Sequence, residues 1–185
     1  MSLNDQLLAA SKNGDLDKVK KLLRTTGINV DATDEMGATA LFVASSTGHI
    51  EIVRLLLQSK ANANIPMKMD GSTALLAATF KEYLEVAKAL VEAEADVNKH
   101  TITKQTALMY ACGLNSTTNI TKLLIEYGAR VNDQDEDGMT AVMHACLLTT
   151  QPEKQLYESN SDRTETTDSF SFSFSFSFSF SFVWL

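Results

Sequence analysis

Apolar residues recur along this chain in short blocks with a helical period, divided by polar segments. In IEIVRLLLQ, residues Ile52, Val53, Leu56 and Leu57 fall on one face of a helix, and LEVAKALVE and NITKLLIEY repeat the arrangement. Each of these blocks follows a shorter one that opens on threonine. Leu41 and Ala44 share a face at i, i+3 spacing there. Thr39 stands where an N-cap belongs, its hydroxyl able to accept from an early backbone N–H. Gly48 then ends the first helix, since it takes a left-handed backbone at no steric cost. Gly37, Gly71 and Gly138 precede their threonines by two residues, as a hairpin tip requires. The pattern predicts pairs of short helices joined by tight turns and extended loops.

The pairs are copies of one unit. TALF, TALL, TALM and TAVM begin at Thr39, Thr73, Thr106 and Thr140, with spacings of 34, 33 and 34 residues. A second series, out of phase with the first, ends at Asn64, Asn98 and Asn132, each 34 apart. Periods of this length mark repeat architectures. One copy has too small an apolar face to fold alone. Neighbours must bury each other, and the expected object is a solenoid.

The landmarks identify the chain as a member of the ankyrin-repeat family by resemblance. Its signature, D-x-x-G-x-T-P-L-H-x-A…G-H-x-E-[IV]-V-x-L-L-L…G-A-x-[VI]-N, is similar to DEMGATALFVASSTGHIEIVRLLLQSKANAN at residues 34–64. Residues 1–31 resemble an amino-terminal capping copy, keeping Ala10, Gly14, Asp17, Val19, Leu22 and Leu23. The resemblance covers roughly residues 3–148. It implies an all-α, ankyrin-repeat solenoid of about four and a half repeats, with short hairpin loops. The expected domains are an array over 1–150, a polar linker over 151–168 and a low-complexity tail over 169–185. Within the array the expected copies are 1–31, 34–64, 68–98, 101–132 and a half repeat at 135–149.

The sequence also departs from the signature. Ala40, Ala74, Ala107 and Ala141 replace its proline, and Phe42, Leu76, Met109 and Met143 replace its histidine. Lys104 replaces the tip glycine; Glu82 and Asn115 replace the inter-helix glycine. One extra residue falls near Ser116–Thr118. A left-handed backbone suits Asn but strains Glu. The third and fourth copies are therefore expected to be the less stable half.

After Thr150 no second helix is recognisable. Seven Ser-Phe pairs run from Ser169 to Phe182. Alternation with period two would put every Phe on one face of a strand, an aggregation hazard. Three readings apply: translation of a simple nucleotide repeat after a frameshift or gene-model error, a self-associating tail, or a strand that pairs with another chain. The abrupt loss of the repeat pattern favours the first. Without a polar closing helix, the end of the array is expected to be sticky or frayed.

Composition narrows the function. The net charge is −7 with three histidines neutral, which argues against general nucleic-acid binding. No run of 18 apolar residues predicts a membrane span, and the first residues lack the pattern of a secretory signal. Two cysteines cannot form a disulfide scaffold, so a reducing intracellular setting is expected, the cytoplasm first and the nucleus also open.

Candidate chemistry is sparse. Asp133-Gln-Asp135-Glu-Asp137-Gly138 opens like a calcium loop, but its twelfth position is His144, so it reads as an acidic repeat loop. Cys112 and Cys146 occupy one place in consecutive copies and read as buried small residues. His49, His100 and His144 share no metal-ligand spacing, and His49 reads as a turn residue. Lys12, Lys18, Lys20, Lys21 and Arg24 read as a solvated face, with an acidic partner or anionic surface as the sharper alternative. No catalytic, cofactor or metal site is expected.

The resemblance implies non-catalytic protein recognition through loop tips and first helices. Its partner-facing positions carry over to Glu35, Met36, Ala38; Met69, Asp70, Ser72; Ile102, Thr103, Gln105; Glu136, Asp137, Met139, and to Ser46, Thr47, Phe80, Lys81 and Leu114. The candidate partner-binding residues are Met36, Met69, Asp70, Phe80, Lys81, Ile102, Thr103, Leu114, Glu136, Asp137 and Met139. Apolar residues at six of these positions suggest a protein-binding stripe, flanked by acidic Asp70, Glu136 and Asp137. The competing expectation is that they pack between neighbouring tips. The chain could equally be the regulatory repeat region of a larger kinase, ubiquitin ligase subunit or channel.

Overall fold

A computed structural model describes residues 2–113 and 118–149. Among them nine helices follow one another: α1 (Leu3–Lys12), α2 (Leu16–Leu23), α3 (Ala40–Ser46), α4 (Ile50–Gln58), α5 (Ala74–Phe80), α6 (Leu84–Glu92), α7 (Ala107–Gly113), α8 (Thr118–Glu126) and α9 (Ala141–Thr149). No strand longer than an isolated bridge occurs among the described residues. Leu114 and Asn115, the linker and the Ser-Phe tail lie outside the described residues.

The caps follow the repeated threonines. Thr39 Oγ1 accepts from the Phe42 N–H at 3.0 Å, and Thr73, Thr106 and Thr140 do the same for Leu76, Met109 and Met143 at 3.3–3.4 Å. The first copy begins differently, on a capping box between Ser2 and Asp5. These hydrogen bonds to Ser2 hold the Asp5 carboxyl below its ordinary range.

Helices pair within a copy and stack between copies. α1, α3, α5, α7 and α9 pack in file, each on the next, and α2, α4, α6 and α8 form a second file beside them. One continuous apolar core runs along the two files. Leu7, Leu41, Leu75 and Leu108, one from each of α1, α3, α5 and α7, are almost fully buried in it, as are Val53, Leu56, Leu90 and Leu124 from the second helices. Small residues let the files approach: Ala44, Ala78 and Ala87 are fully buried.

Polar ladders tie the loops. The Asn62 N–H donates to Asp31 Oδ1, Asp96 N–H to Asn64 Oδ1 and Arg130 N–H to Asn98 Oδ1, all at 2.8 Å. Hence Asn64 and Asn98 of the second landmark series join each copy to the next, and Asp31 serves in the first.

The turns between helices stack as well. His49 rests on Gly14, where an added Cβ would meet the imidazole at 2.9 Å, and its Nε2 lies 3.2 Å from the Lys12 carbonyl. Tyr83 rests on Gly48 in the same way, one copy later. His49 is thus a turn residue, as expected. Glu82 stands at the next glycine position and adopts φ 61°, and Lys104 adopts φ 59° at its tip. Lys60 (φ 66°) and Glu94 (φ 61°) are left-handed too, where Gly128 closes the later copy.

Of the two cysteines only Cys112 is partly buried; Cys146 is exposed, with no described helix stacked beyond α9. That corrects the expectation of two buried small residues. Burial raises the Cys112 thiol pKa, against a hydrogen bond to Thr121 that lowers it. No helix among the described residues is long and apolar enough to cross a membrane.

Candidate functional site

The hairpin tips lie side by side because backbone groups join them. The Lys68 N–H donates to the Met36 carbonyl at 3.0 Å, Ile102 N–H to the Asp70 carbonyl at 2.8 Å, and Glu136 N–H to the Thr103 carbonyl at 3.1 Å. One rung per interface fixes the four tips in a row. The side chains of Met36, Met69 and Ile102 leave that row for solvent, with Met69 and Ile102 each 67% exposed. They do not pack away between tips, which was the competing expectation for them. Thr103, Glu136 and Asp137 are exposed beside them.

Met69 stands at a tip that is one residue longer than the others. Three tips close with an N–H to carbonyl bond across four residues: Asp34 to Ala38, Thr101 to Gln105, and Asp135 to Met139. The second tip closes from Met67 to Ser72, across five. The longer spacing between Thr39 and Thr73 is therefore taken up at this tip, which bulges at Met69.

Phe80 and Lys81, at the end of α5, form the other half of the surface. The Phe80 ring meets the Tyr110 ring of α7 edge to face, with centroids 5.9 Å apart and planes at 84°. Such a pair is worth about 0.5–1.5 kcal/mol beyond its buried area. The Lys81 ammonium stands 5.5 Å from the centre of the Phe80 ring. Tyr110 is half-buried, and its pKa is raised first by desolvation and then by the charge of Asp70. Tyr110 thus has Phe80 against its ring and feels the charge of Asp70, while Lys81 stands over Phe80 and Ile102 is hydrogen-bonded to the Asp70 backbone. Carrying over positions seven and eight after each threonine passes over Tyr110, which stands four after Thr106 and meets its aromatic partner only across the copy boundary.

Two candidate residues are less open. Met139 is half-buried at the base of its hairpin, its N–H donating to Asp135 Oδ1 at 2.8 Å. Asp70 is half-buried and braces its own tip, accepting from the Ser72 N–H at 3.0 Å and the Ser72 hydroxyl at 2.6 Å. Leu114 falls outside the described residues.

The acidic loop does not form a cation site. Asp135 is buried; its Oδ1 accepts from the Asp137 and Met139 N–H groups, and its Oδ2 lies 2.8 Å from His144 Nε2. Those oxygens are spent on the hairpin and α9. No group of three His, Cys, Asp or Glu among the described residues could hold a metal ion.

The geometry of repeating cap, turn stack and loop ladder has a counterpart among known families. The family model for ankyrin repeats (3 copies) matches residues 7–101 and 96–153. The chain belongs to the ankyrin-repeat family. No individually curated protein matches it. Ankyrin repeats are generally protein–protein interaction modules and typically non-catalytic. The ankyrin array accordingly offers a surface for recognition.

The Tyr110 environment can be read by titration. Its folded pKa lies above the unfolded value, so the associated stability is complete below about pH 10 and is lost as pH rises through the folded pKa. A component that ionises late, from Tyr110, is expected in phenolate absorbance at 295 nm. Tyr110→Phe should remove that late component, and Asp70→Asn should bring it earlier. Absence of any late component would contradict the placement of Tyr110 beside Asp70.

Proposed function

We propose that the tips and first helices hold a segment of a partner protein, with Met36, Met69, Phe80 and Ile102 as the apolar contacts. Asp70, Glu136 and Asp137 flank them as charges that set register and orientation, and Lys81 and Thr103 contribute polar contacts at the centre. Met139 continues the stripe into the last copy, and Leu114 is a further candidate by its position in the sequence. The supporting observations are the outward placement of Met69 and Ile102, both 67% exposed, and the Phe80–Tyr110 pair that joins neighbouring first helices. Solvent favours polar residues at such positions, while flexible methionine suits contact with a partner.

Recognition here needs no catalytic group. A rigid row of tips, held by main-chain rungs, meets its partner with little ordering of its own, which preserves affinity. Aromatic residues at the centre of such a surface are where binding energy concentrates.

The test is capture of proteins from a cell extract by the full chain, compared with a Met69→Ser/Phe80→Ser double variant. Loss of the captured set is expected while the variant stays folded at the assay temperature; without the Phe80–Tyr110 pair the melting temperature should fall by about 3–10 °C. Unaltered capture by the variant rejects the stripe.

A further inference from the structure

Comparison of equivalent positions exposes an unfinished interface at the carboxyl end of the array. Val91, Val97, Leu108 and Met109 are 3%, 7%, 2% and 2% exposed, because a second helix or the next copy lies over them. Their counterparts 34 residues later, Ile125, Val131, Val142 and Met143, are 49%, 43%, 63% and 46% exposed. The residue types are unchanged in character; only the cover is missing among the described residues. The opposite end is closed by sequence. Lys18 stands in α2 where Ile52, Val86 and Ile120, each 2% exposed, stand in α4, α6 and α8.

The uncovered slot has a definite shape. In every earlier copy the first helix is paired with a second helix, while α9 has none among the described residues. The chain beyond α9 reads Thr150-Gln-Pro-Glu-Lys-Gln-Leu156-Tyr157, which lacks the apolar stripe of the other second helices. The slot is a continuation of the interface by which α4 packs on α6 and α6 on α8. Apart from buried Asp135, residues 118–149 carry four carboxylates, Glu126 and Asp133 on α8 and the loop after it and Glu136 and Asp137 at the tip, against Lys122 and Arg130, leaving two negative charges in excess.

We propose that this slot receives an amphipathic helix from another protein, lying beside α8 and α9 as the second helix of the half repeat. The helix is at least as long as α4, α6 and α8, nine residues each. Its apolar residues fall at i, i+3, i+4 and i+7, and its polar face is basic. A second copy of this chain fits less well, since its own second helices are committed and its amino-terminal end presents Lys18.

The probe is a stapled peptide of residues 49–61 of this same chain, with Glu51→Lys and Gln58→Lys to make its polar face basic. Saturable binding to the full chain is expected by fluorescence anisotropy, with new protection from hydrogen exchange confined to residues 118–147. Ile125→Lys and Val142→Lys, both at exposed positions, should each weaken binding about 10-fold or more. A peptide carrying Glu at the two substituted positions should bind more weakly, and the gap should shrink with salt. Absence of saturation up to about 1 mM, or protection at the hairpin tips, overturns the proposal. So does dimerisation of the full chain that Val142→Lys abolishes, which would make a second copy the occupant. Binding that emerges only after Phe170–Phe182 are changed to serine would make the tail the occupant, and overturns it equally.

Discussion

Replacement of Leu90 by alanine is expected to lower the stability of the array by about 2–5 kcal/mol. Leu90 is fully buried in α6, at the middle of the file of second helices. α6 packs on α5 within its copy and on α4 and α8 in the copies either side. A cavity there weakens three contacts at once. In a solenoid, stability is close to a sum of copy terms and interface terms, so a weak central copy should also broaden the transition. Urea denaturation followed by circular dichroism reads both effects. Lys88→Ala, on the exposed side of the same helix, should shift stability by less than about 0.5 kcal/mol. A Leu90→Ala loss under about 1 kcal/mol would contradict the packing described for α6.

The second large effect goes the other way. Lys60, Glu82, Glu94 and Lys104 all hold left-handed backbone, with φ between 59° and 66°. Each costs about 1–2 kcal/mol for a residue with a Cβ. Glycine at the same place removes that strain and loses about 0.5–1 kcal/mol through the freer unfolded chain. The net gain is about 0.5–1 kcal/mol per position. The four sites lie in different turns, so the gains should nearly add, giving about 2–4 kcal/mol for the quadruple variant. Thermal unfolding should rise by roughly 5–15 °C, at about 2–4 °C per kcal/mol. A quadruple variant no more stable than the parent would show that these residues make compensating contacts in the turns. Three of the four, Glu82, Glu94 and Lys104, stand in the third and fourth copies, the half expected from the sequence to be weaker.

Much of this architecture is legible because the same physical need recurs every thirty-odd residues. A helix that starts after an extended loop needs an N-cap, so threonine returns at Thr39, Thr73, Thr106 and Thr140. A turn that closes against its neighbour's ring needs a residue without a Cβ, so glycine returns at Gly14 and Gly48. Its replacement by Glu82 is visible as a departure before any coordinates are consulted. Lys60 and Glu94 could have been found the same way, by setting them against Gly27 and Gly128, whose φ values are 86° and 85°.

The surface is less legible, for two reasons. The extra residue between Thr39 and Thr73 changes the spacing without saying where it sits. Asn64 to Thr73 spans nine residues, whereas Asn98 to Thr106 and Asn132 to Thr140 span eight, and that difference assigns it to the tip. The aromatic corner is harder, since Phe80 and Tyr110 belong to different copies and meet only when α5 and α7 stack. Whether an apolar residue near a tip points outward is decided by its place in the hairpin: Met69 and Ile102 stand inside the turn and are exposed, while Met139 is the closing residue and is half-buried. A column of buried hydroxyls, Ser11, Ser45 and Thr79, occupies one position of successive first helices without a hydrogen-bond partner, and nothing in the structure explains that choice.

The account rests on copies placed in single file, and distances between equivalent positions test it directly. Lys20, Arg54, Lys88 and Lys122 stand at one exposed position of α2, α4, α6 and α8. Spin labels can be placed there in pairs after Cys112 and Cys146 are changed to serine. With neighbouring helices about 8–10 Å apart, the separations 20–54, 20–88 and 20–122 should rise in nearly equal steps, reaching roughly 25–30 Å for the last pair. Separations that stop rising after the second step, with 20–122 no longer than 20–88, would mean helices gathered around one centre and would contradict the account.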